Sequence, residues 1–291
     1  MMKFRSTFCV FLQFLVYVHL LSNEIIDKPA SQYSQEYDND FVELVEMVYG
    51  DGLLSQGGME SIDEMFHGIN LNDLKVLDLG SGLGMCDIYL AKNFNVQITG
   101  IDPQNKLIQK ANQHLQVAQK DLMGSVSFSL MKDPNNLNQF EDNFFDIIYS
   151  KESILHVPHE VKESYFKEIY RVLKPGGQII IMDWMHSGIK YSENTKKMME
   201  MDGLFFQLLT PQEYQSILKK TGFKNIELVD ITSNSVQISQ QNIDTIMQVA
   251  DKIIRRFGAD SYKYSLDSWA YQKDAFKNRE LLAGILKATK T

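Results

Sequence analysis

Two cysteines, two tryptophans and six prolines are all that this chain of 291 residues has of those types. With thiols only at Cys9 and Cys86, it can build neither a disulfide framework nor a cysteine metal site, and no other metal site is expected. Cys86 reads as a buried helix residue. Cationic charge is also scarce: 29 Lys and Arg against 37 Asp and Glu leave a formal net charge of -8 and a pI near 5.3. A nucleic-acid substrate calls for a basic face, so no nucleic acid is expected and a small molecule is favoured. No internal repeat is present. What remains, 44% hydrophobic and 23% charged, is ordinary material for one large globular domain with additions.

The additions come first. Residues 1–22 place Lys3 and Arg5 ahead of an apolar run without acidic residues, interrupted by Gln13 and His19 and followed by no small-residue cleavage site. That shape fits a secretory signal or membrane anchor, with membrane association through residues 1–22 and a place in the secretory pathway or on a membrane. A mitochondrial presequence is the alternative, although two basic residues are few for one. Residues 23–36 are polar and unperiodic, a linker, which leaves residues 37–291 as the domain.

Phe41, Leu44, Val45 and Val48 fall at helical spacing before Tyr49-Gly50-Asp51-Gly52, and a second helix with Met59, Ile62, Met65 and Phe66 as its stripe follows Ser55-Gln56-Gly57-Gly58. These helices precede the first strand and could cover a ligand. From Lys75 the pattern alternates: strand 75–79, helix 84–93, strand 96–101, helix 104–120, a short strand near 125–129, strand 145–149, helix 160–173 and strand 177–183. Such alternation implies an α/β fold with a parallel sheet wrapped on both faces. Lys174-Pro175-Gly176-Gly177 reads as a tight turn, Met185 to Leu209 as an insertion over the mouth of the sheet, 225–230 as a strand, 236–257 and the stretch around Trp269 as helical, and 281–288 as the last strand.

The densest signal is KVLDLGSGLGM, Lys75 to Met85. A buried strand breaks into Gly80, Gly82 and Gly84, whose positive φ allows a sharp turn and whose missing Cβ lets a ligand lie on bare backbone at the start of a helix. The next strand ends in Asp102, which suits the hydroxyls of a nucleoside ribose. Asp78, inside the strand ahead of the glycines, would repel a pyrophosphate but not a cation. A dinucleotide is therefore disfavoured against S-adenosyl-L-methionine, which has a sulfonium, an ammonium and a ribose. VLDLGSGLG followed by TGID resembles the signature of class I S-adenosylmethionine-dependent methyltransferases. The resemblance implies a Rossmann-like, seven-stranded methyltransferase sheet with helices on both faces, an N-terminal helical cover and an inserted lid.

A second cluster, Ser150-Lys151-Glu152-Ser153-Ile154-Leu155-His156-Val157, follows the strand 145–149 directly. Ligands bind at the carboxyl ends of strands in such sheets, so His156 either takes a proton near the transferable group or caps the helix beginning near Pro158. From Tyr37 to the C-terminus, through YGDGLLSQGGMES, SKESILHV, LKPGG and LKATKT, the chain is similar to the phosphoethanolamine N-methyltransferases of protozoa. That likeness implies a catalytic pair, Tyr37 and His156. It implies cofactor contacts at Ser55, Asp78, Gly80, Asp102, Pro103, Asp133 and Lys151, with Asp133 accepting from the adenine amino group and Lys151 standing where an arginine is usual; Ser81, Gly82 and Gly84 complete the turn. The substrate half departs from the family. Glu152 stands for an aspartate, and Trp184, Glu200, Leu204, Phe206 and Gln272 fall where aromatic and cationic residues would surround a phosphate.

The expected function is N-methylation of a small amine, its cation held by Glu152 and Trp184, in a phosphoethanolamine-methyltransferase-like enzyme with an altered phosphate site. A methyltransferase acting on a glycine derivative, a sterol or an oxygen nucleophile is the alternative, as is a non-catalytic scaffold retaining the fold.

Overall fold

The computed structural model describes residues 37–133, 135–204 and 206–291. The hydrophobic segment 1–22 and the linker 23–36 lie outside the described residues. Helix α1 (Asn39–Tyr49) starts where the Asp38 carboxylate accepts from the Phe41 N–H at 2.8 Å and stops at Gly50, whose φ of 105° breaks the helical path. Its buried stripe is Val42, Val45 and Val48. Val45 and Val48 of the expected stripe are buried as read, Val42 joins them, and Phe41 and Leu44 are only half-buried. Helix α2 (Gly58–Met65) buries Ile62 and Met65.

Seven strands follow, in the order β3-β2-β1-β4-β5-β7-β6. They are β1 (Lys75–Leu79), β2 (Gln97–Asp102), β3 (Ser125–Leu130), β4 (Phe145–Lys151), β5 (Leu173–His186), β6 (Lys224–Asp230) and β7 (Leu281–Thr289). Helices α3 (Met85–Asn93), α4 (Asn105–Ala118), α5 (His159–Val172), α6 (Glu193–Asp202), α7 (Pro211–Thr221), α8 (Thr232–Gln248), α9 (Ala250–Phe257) and α10 (Ala259–Lys277) fill the connections. Alternate residues of one strand face opposite sides of a sheet, and both sides here are covered. Val76, Ile147, Ile180 and Ile285 enter one apolar core while their chain neighbours Leu77, Ile148, Ile181 and Leu286 enter the other. The continuous apolar runs of the sequence therefore reflect burial on two faces.

Strands β1 to β5 are parallel, as the alternation implies. The last strand departs from that pattern: β7 runs antiparallel between β5 and β6. Lys174 to Gly177 do not precede a new strand but bulge from β5, which pairs Leu173 with Phe145 and resumes with Gln178 opposite Ile147. The stretch 236–257 is two helices broken at Val249, preceded by an extra turn from Thr232. The insertion 185–209 contains α6, clasped onto α10 by Ser268 on Asp202 at 2.6 Å and Tyr264 on the Met201 carbonyl. It reaches the strand ends through the Gln207 N–H, which donates to the Leu155 carbonyl at 2.7 Å. Among the described residues no helix is long and apolar enough to cross a membrane.

Candidate active site

The glycine turn and the carboxyl ends of β1, β2 and β4 form one wall of a cleft, and the α1–α2 connection forms the other. Gly80, Gly82 and Gly84 have φ of 89°, 52° and 78°. A Cβ on Gly80 would come within 2.0 Å of Ser153 Oγ, and one on Gly84 would enter the Phe128 ring at 2.3 Å. Gly84 therefore seats the turn on the sheet and starts α3, while Gly80, Ser81 and Gly82 line the cleft. The Gly80 and Ser81 N–H groups both donate to the Ile101 carbonyl, at 2.8 and 3.0 Å, which ties the turn to β2.

Three carboxylates collect behind and beside this turn. Asp102 closes β2, accepting from the Gly82 N–H at 3.1 Å and the Gln104 N–H at 2.8 Å; burial nevertheless pushes its pKa up to about 6. Asp78 is 3% exposed, and its Oδ1 has no partner. Burial, followed by the charge of Asp87, drives Asp78 well above the usual carboxylate range. Asp87, wholly buried, accepts from the Tyr149 hydroxyl at 2.6 Å and is pushed by burial up to about 7. Neither Asp87 nor Tyr149 stood out in the sequence. An acidic residue in the first turn of a helix ordinarily complements the helix dipole at the surface, and only packing turns this one inward.

The cover is fastened by Lys151, whose Nζ donates to Ser55 Oγ at 2.6 Å and to the Gln56 carbonyl at 2.8 Å. Ser55, Lys151 and Pro103 all line the cleft. Asp133 is not among the lining residues: its carboxylate accepts from the Asn135 N–H and the Asn136 amide, and Asn135 lines the cleft instead. Cys86 is in a helix as expected, but half-buried and facing the cleft, with burial pushing its thiol up to about 12.

Tyr37 and His156 line the same cleft from opposite sides of the chain. His156 ends the short turn Ile154–His156, pinned by Lys162 Nζ on the Ile154 carbonyl at 2.6 Å, and its ring lies 5.7 Å from that of Phe206. Helix α5 begins just beyond, with Pro158 at its N-cap. Glu152, held at a φ of 51°, stands between this cleft and a smaller recess and lines both. It accepts from Trp184 Nε1 at 2.9 Å, and burial raises its pKa. Trp184 lines only the recess, one ring face stacked on Phe206 at 5.7 Å and an edge toward Phe276 at 5.2 Å. Glu200 is exposed and lines neither space, and buried Gln272 is turned to Gln56 Oε1 at 2.9 Å and Ser239 Oγ at 3.4 Å.

The cleft fits a cationic nucleoside. Asp78 Oδ1 and Ser81 Oγ, both buried without partners, await polar groups, Asp102 can accept from ribose hydroxyls, and the glycine backbone leaves room beside α3. Among the lining residues, Asp78, Asp102 and Glu152 face only Lys151 and His156 as basic groups. A pyrophosphate would find no free cation in such a wall.

Residues 77–181 match a family described as a methyltransferase domain. The chain is 30% identical over 235 residues to a phosphoethanolamine N-methyltransferase of Arabidopsis thaliana, covering 80% of this chain and 46% of that protein. It is 27% identical over 275 residues to the phosphoethanolamine N-methyltransferase of Plasmodium falciparum, covering 93% of this chain and 99% of that one. The fold is similar, with a TM-score of 0.78 at 24% identity over 88% of this chain and 58% of the other, to phosphoethanolamine N-methyltransferase 2 of Haemonchus contortus, solved with phosphomonomethylethanolamine and S-adenosylhomocysteine. The chain spans about half the length of the plant relatives that it matches. Its glycine turn, its sheet order and these matches are those of a Rossmann-like methyltransferase fold, and the chain is similar to the phosphoethanolamine N-methyltransferases.

Proposed function

We propose that this chain methylates the nitrogen of a small amine that carries no phosphate. The observation that carries the reading is the placement of cations. Lys190 is exposed, Lys196 pairs with Glu193 at 2.6 Å, Lys197 lies over the Tyr271 ring at 5.5 Å and Lys273 donates to Gln240 at 2.9 Å. None of them lines the cleft or the recess. A phosphate taken out of water needs at least one fixed cation, and usually an arginine fork. Glu152, where cleft and recess meet, suits an ammonium instead.

S-adenosylmethionine supplies an electrophilic methyl group when bound. Asp102 would accept from its ribose, Asp78 and Ser81 would meet its polar methionine arm, and the Gly80–Gly82 backbone would lie beside it. Alignment of donor and acceptor should supply most of the acceleration, because the sulfonium is already a good leaving group. Glu152 would hold the acceptor cation. Tyr37 and His156, on the same cleft, would remove the proton that frees the nitrogen lone pair. His156→Ala is expected to lower turnover by about 10² or more with cofactor affinity nearly unchanged, because proton removal is separate from nucleoside recognition; equal turnover in the variant would remove the histidine from the chemistry.

The names of the relatives favour one other acceptor, phosphoethanolamine itself. Phosphoethanolamine, ethanolamine, glycine derivatives and larger amines, offered at equal concentration and read by mass spectrometry for a methyl gain, separate the two. Turnover of phosphoethanolamine alone would overturn the proposal and bring Lys190 or Lys273 into the site.

A further inference from the structure

Behind the glycine turn, two carboxyls share one buried space. Asp78 comes from β1, where it pairs in register with Tyr149 of β4, and Asp87 comes from the first turn of α3, where it meets the hydroxyl of that same tyrosine. They are 3% and 0% exposed. Tyr149 donates its hydroxyl to Asp87 Oδ1 at 2.6 Å, while Asp78 Oδ1 and Asp87 Oδ2 have no partner. The other ionisable groups facing the pair are Cys86 from α3, Asp102 from β2 and Tyr165 from α5, with Lys151 and Glu152 from the end of β4 beyond Cys86. The Lys151 ammonium is turned to Ser55 and Gln56.

Two ionised carboxylates cannot sit side by side in such surroundings, so one proton is shared between them. Burial and the charge of Asp87 hold Asp78 well above its ordinary range, while burial raises Asp87 to about 7 against its bonds to Tyr149 and Asp78, so the shared proton stays on Asp78 at neutral pH. Asp78 also lines the cleft, where its orphan oxygen is an acceptor for a cationic donor. Arrival of a positive charge there favours the ionised form of Asp78 against its burial and the charge of Asp87.

We propose that Asp78 and Asp87, oriented by Tyr149, form a proton-linked cation sensor that releases its shared proton to solvent when the cationic methionine arm of S-adenosylmethionine enters the cleft. The inference rests on the cofactor reading above. The balance is simple: the empty pair carries one proton and one negative charge, and the filled pair carries no proton and two negative charges facing the cation. Asp78 touches the ligand; Asp87 acts through it as a positioning residue. Cofactor affinity then rises with pH until the empty pair is itself ionised.

Titration calorimetry of the full chain at pH 7.5, in buffers of low and high ionisation heat, counts the protons. At that pH Asp102, pushed up to only about 6, is already ionised. About one proton should leave per S-adenosylmethionine bound, and none with adenosine, which lacks the methionine arm. Asp87→Asn keeps an acceptor for Tyr149 and offers Asp78 an amide donor, so the variant should still bind the cofactor and release no proton. Should that variant fail to fold, Tyr149→Phe carries the test: without its donor, Asp87 holds a proton more tightly and the midpoint of release moves to higher pH. Saturable cofactor binding without proton release in the parent, undiminished release in Asp87→Asn, equal release with adenosine, or an unmoved midpoint in Tyr149→Phe would each overturn the sensor. Absence of saturable heat with both S-adenosylmethionine and S-adenosylhomocysteine would overturn the cofactor reading, and the sensor with it.

Discussion

At the scale of single residues, Asp102 shows how burial and function oppose each other. Its two backbone donors favour the carboxylate, yet burial wins and raises its pKa from 3.8 to about 6. The folded chain therefore holds a proton there that the unfolded chain loses between those values. Its contribution to stability is intact below pH 3.8 and is lost as pH rises through about 6. Ligand binding runs the other way, because only the carboxylate can accept from two hydroxyls. Cofactor affinity is expected to fall as pH drops below 6, and Asp102→Ala should weaken it at least tenfold, since bonds to a charged acceptor are each worth roughly 1.5–3 kcal/mol. Calorimetry from pH 5 to 8 on parent and variant checks both; a variant with parental affinity would place the ribose elsewhere. The sequence places Asp78 and Asp102 around the glycines, and both line the cleft. Asp87 was not legible in the sequence, because its partner Tyr149 lies 62 positions away.

Between elements, a second buried polar knot joins α5, β5 and α7. Lys162, 1% exposed, faces Asp183 at 0%, which accepts from the Tyr214 hydroxyl. Burial lowers Lys162 to about 8 and raises Asp183 to about 7, each opposed by the other's charge. Lys162 also holds the Ile154 carbonyl, and so the turn that presents His156. Lys162→Met should leave the buried Ile154 carbonyl without its charged donor and cost about 1–3 kcal/mol. Differential scanning calorimetry would register the loss, and turnover should fall with cofactor affinity nearly unchanged. An unshifted melting temperature would mean that the knot relaxes freely around the missing charge. The helices and strands themselves were legible in chain order, because periodicity and capping are local. The bulge at Lys174–Gly177 and the clasp of α6 on α10 were not, since each is set by a partner distant in sequence.

For the molecule as a whole, the cleft lies between a sheet and a cover, and Lys151 at the end of β4 ties the two together through Ser55 and Gln56. A cofactor touching both walls should stabilise the fold by about 2.7 kcal/mol at one hundred times its Kd, or roughly 4–8 °C in melting temperature. Thermal melts with and without S-adenosylmethionine test this, and Lys151→Met should lower the baseline while keeping part of the shift. The sequence by itself determined the parallel α/β core, the glycine turn and the acidic character of its surroundings, because each depends on residues close together in the chain. Only the tertiary structure decided that β7 returns antiparallel between β5 and β6, that Trp184 stacks on Phe206 in a recess apart from the main cleft, that Gln272 turns to Gln56, and that Asp78 and Asp87 share one buried space. Those arrangements depend on which distant surfaces exclude water together, and no local pattern encodes that choice.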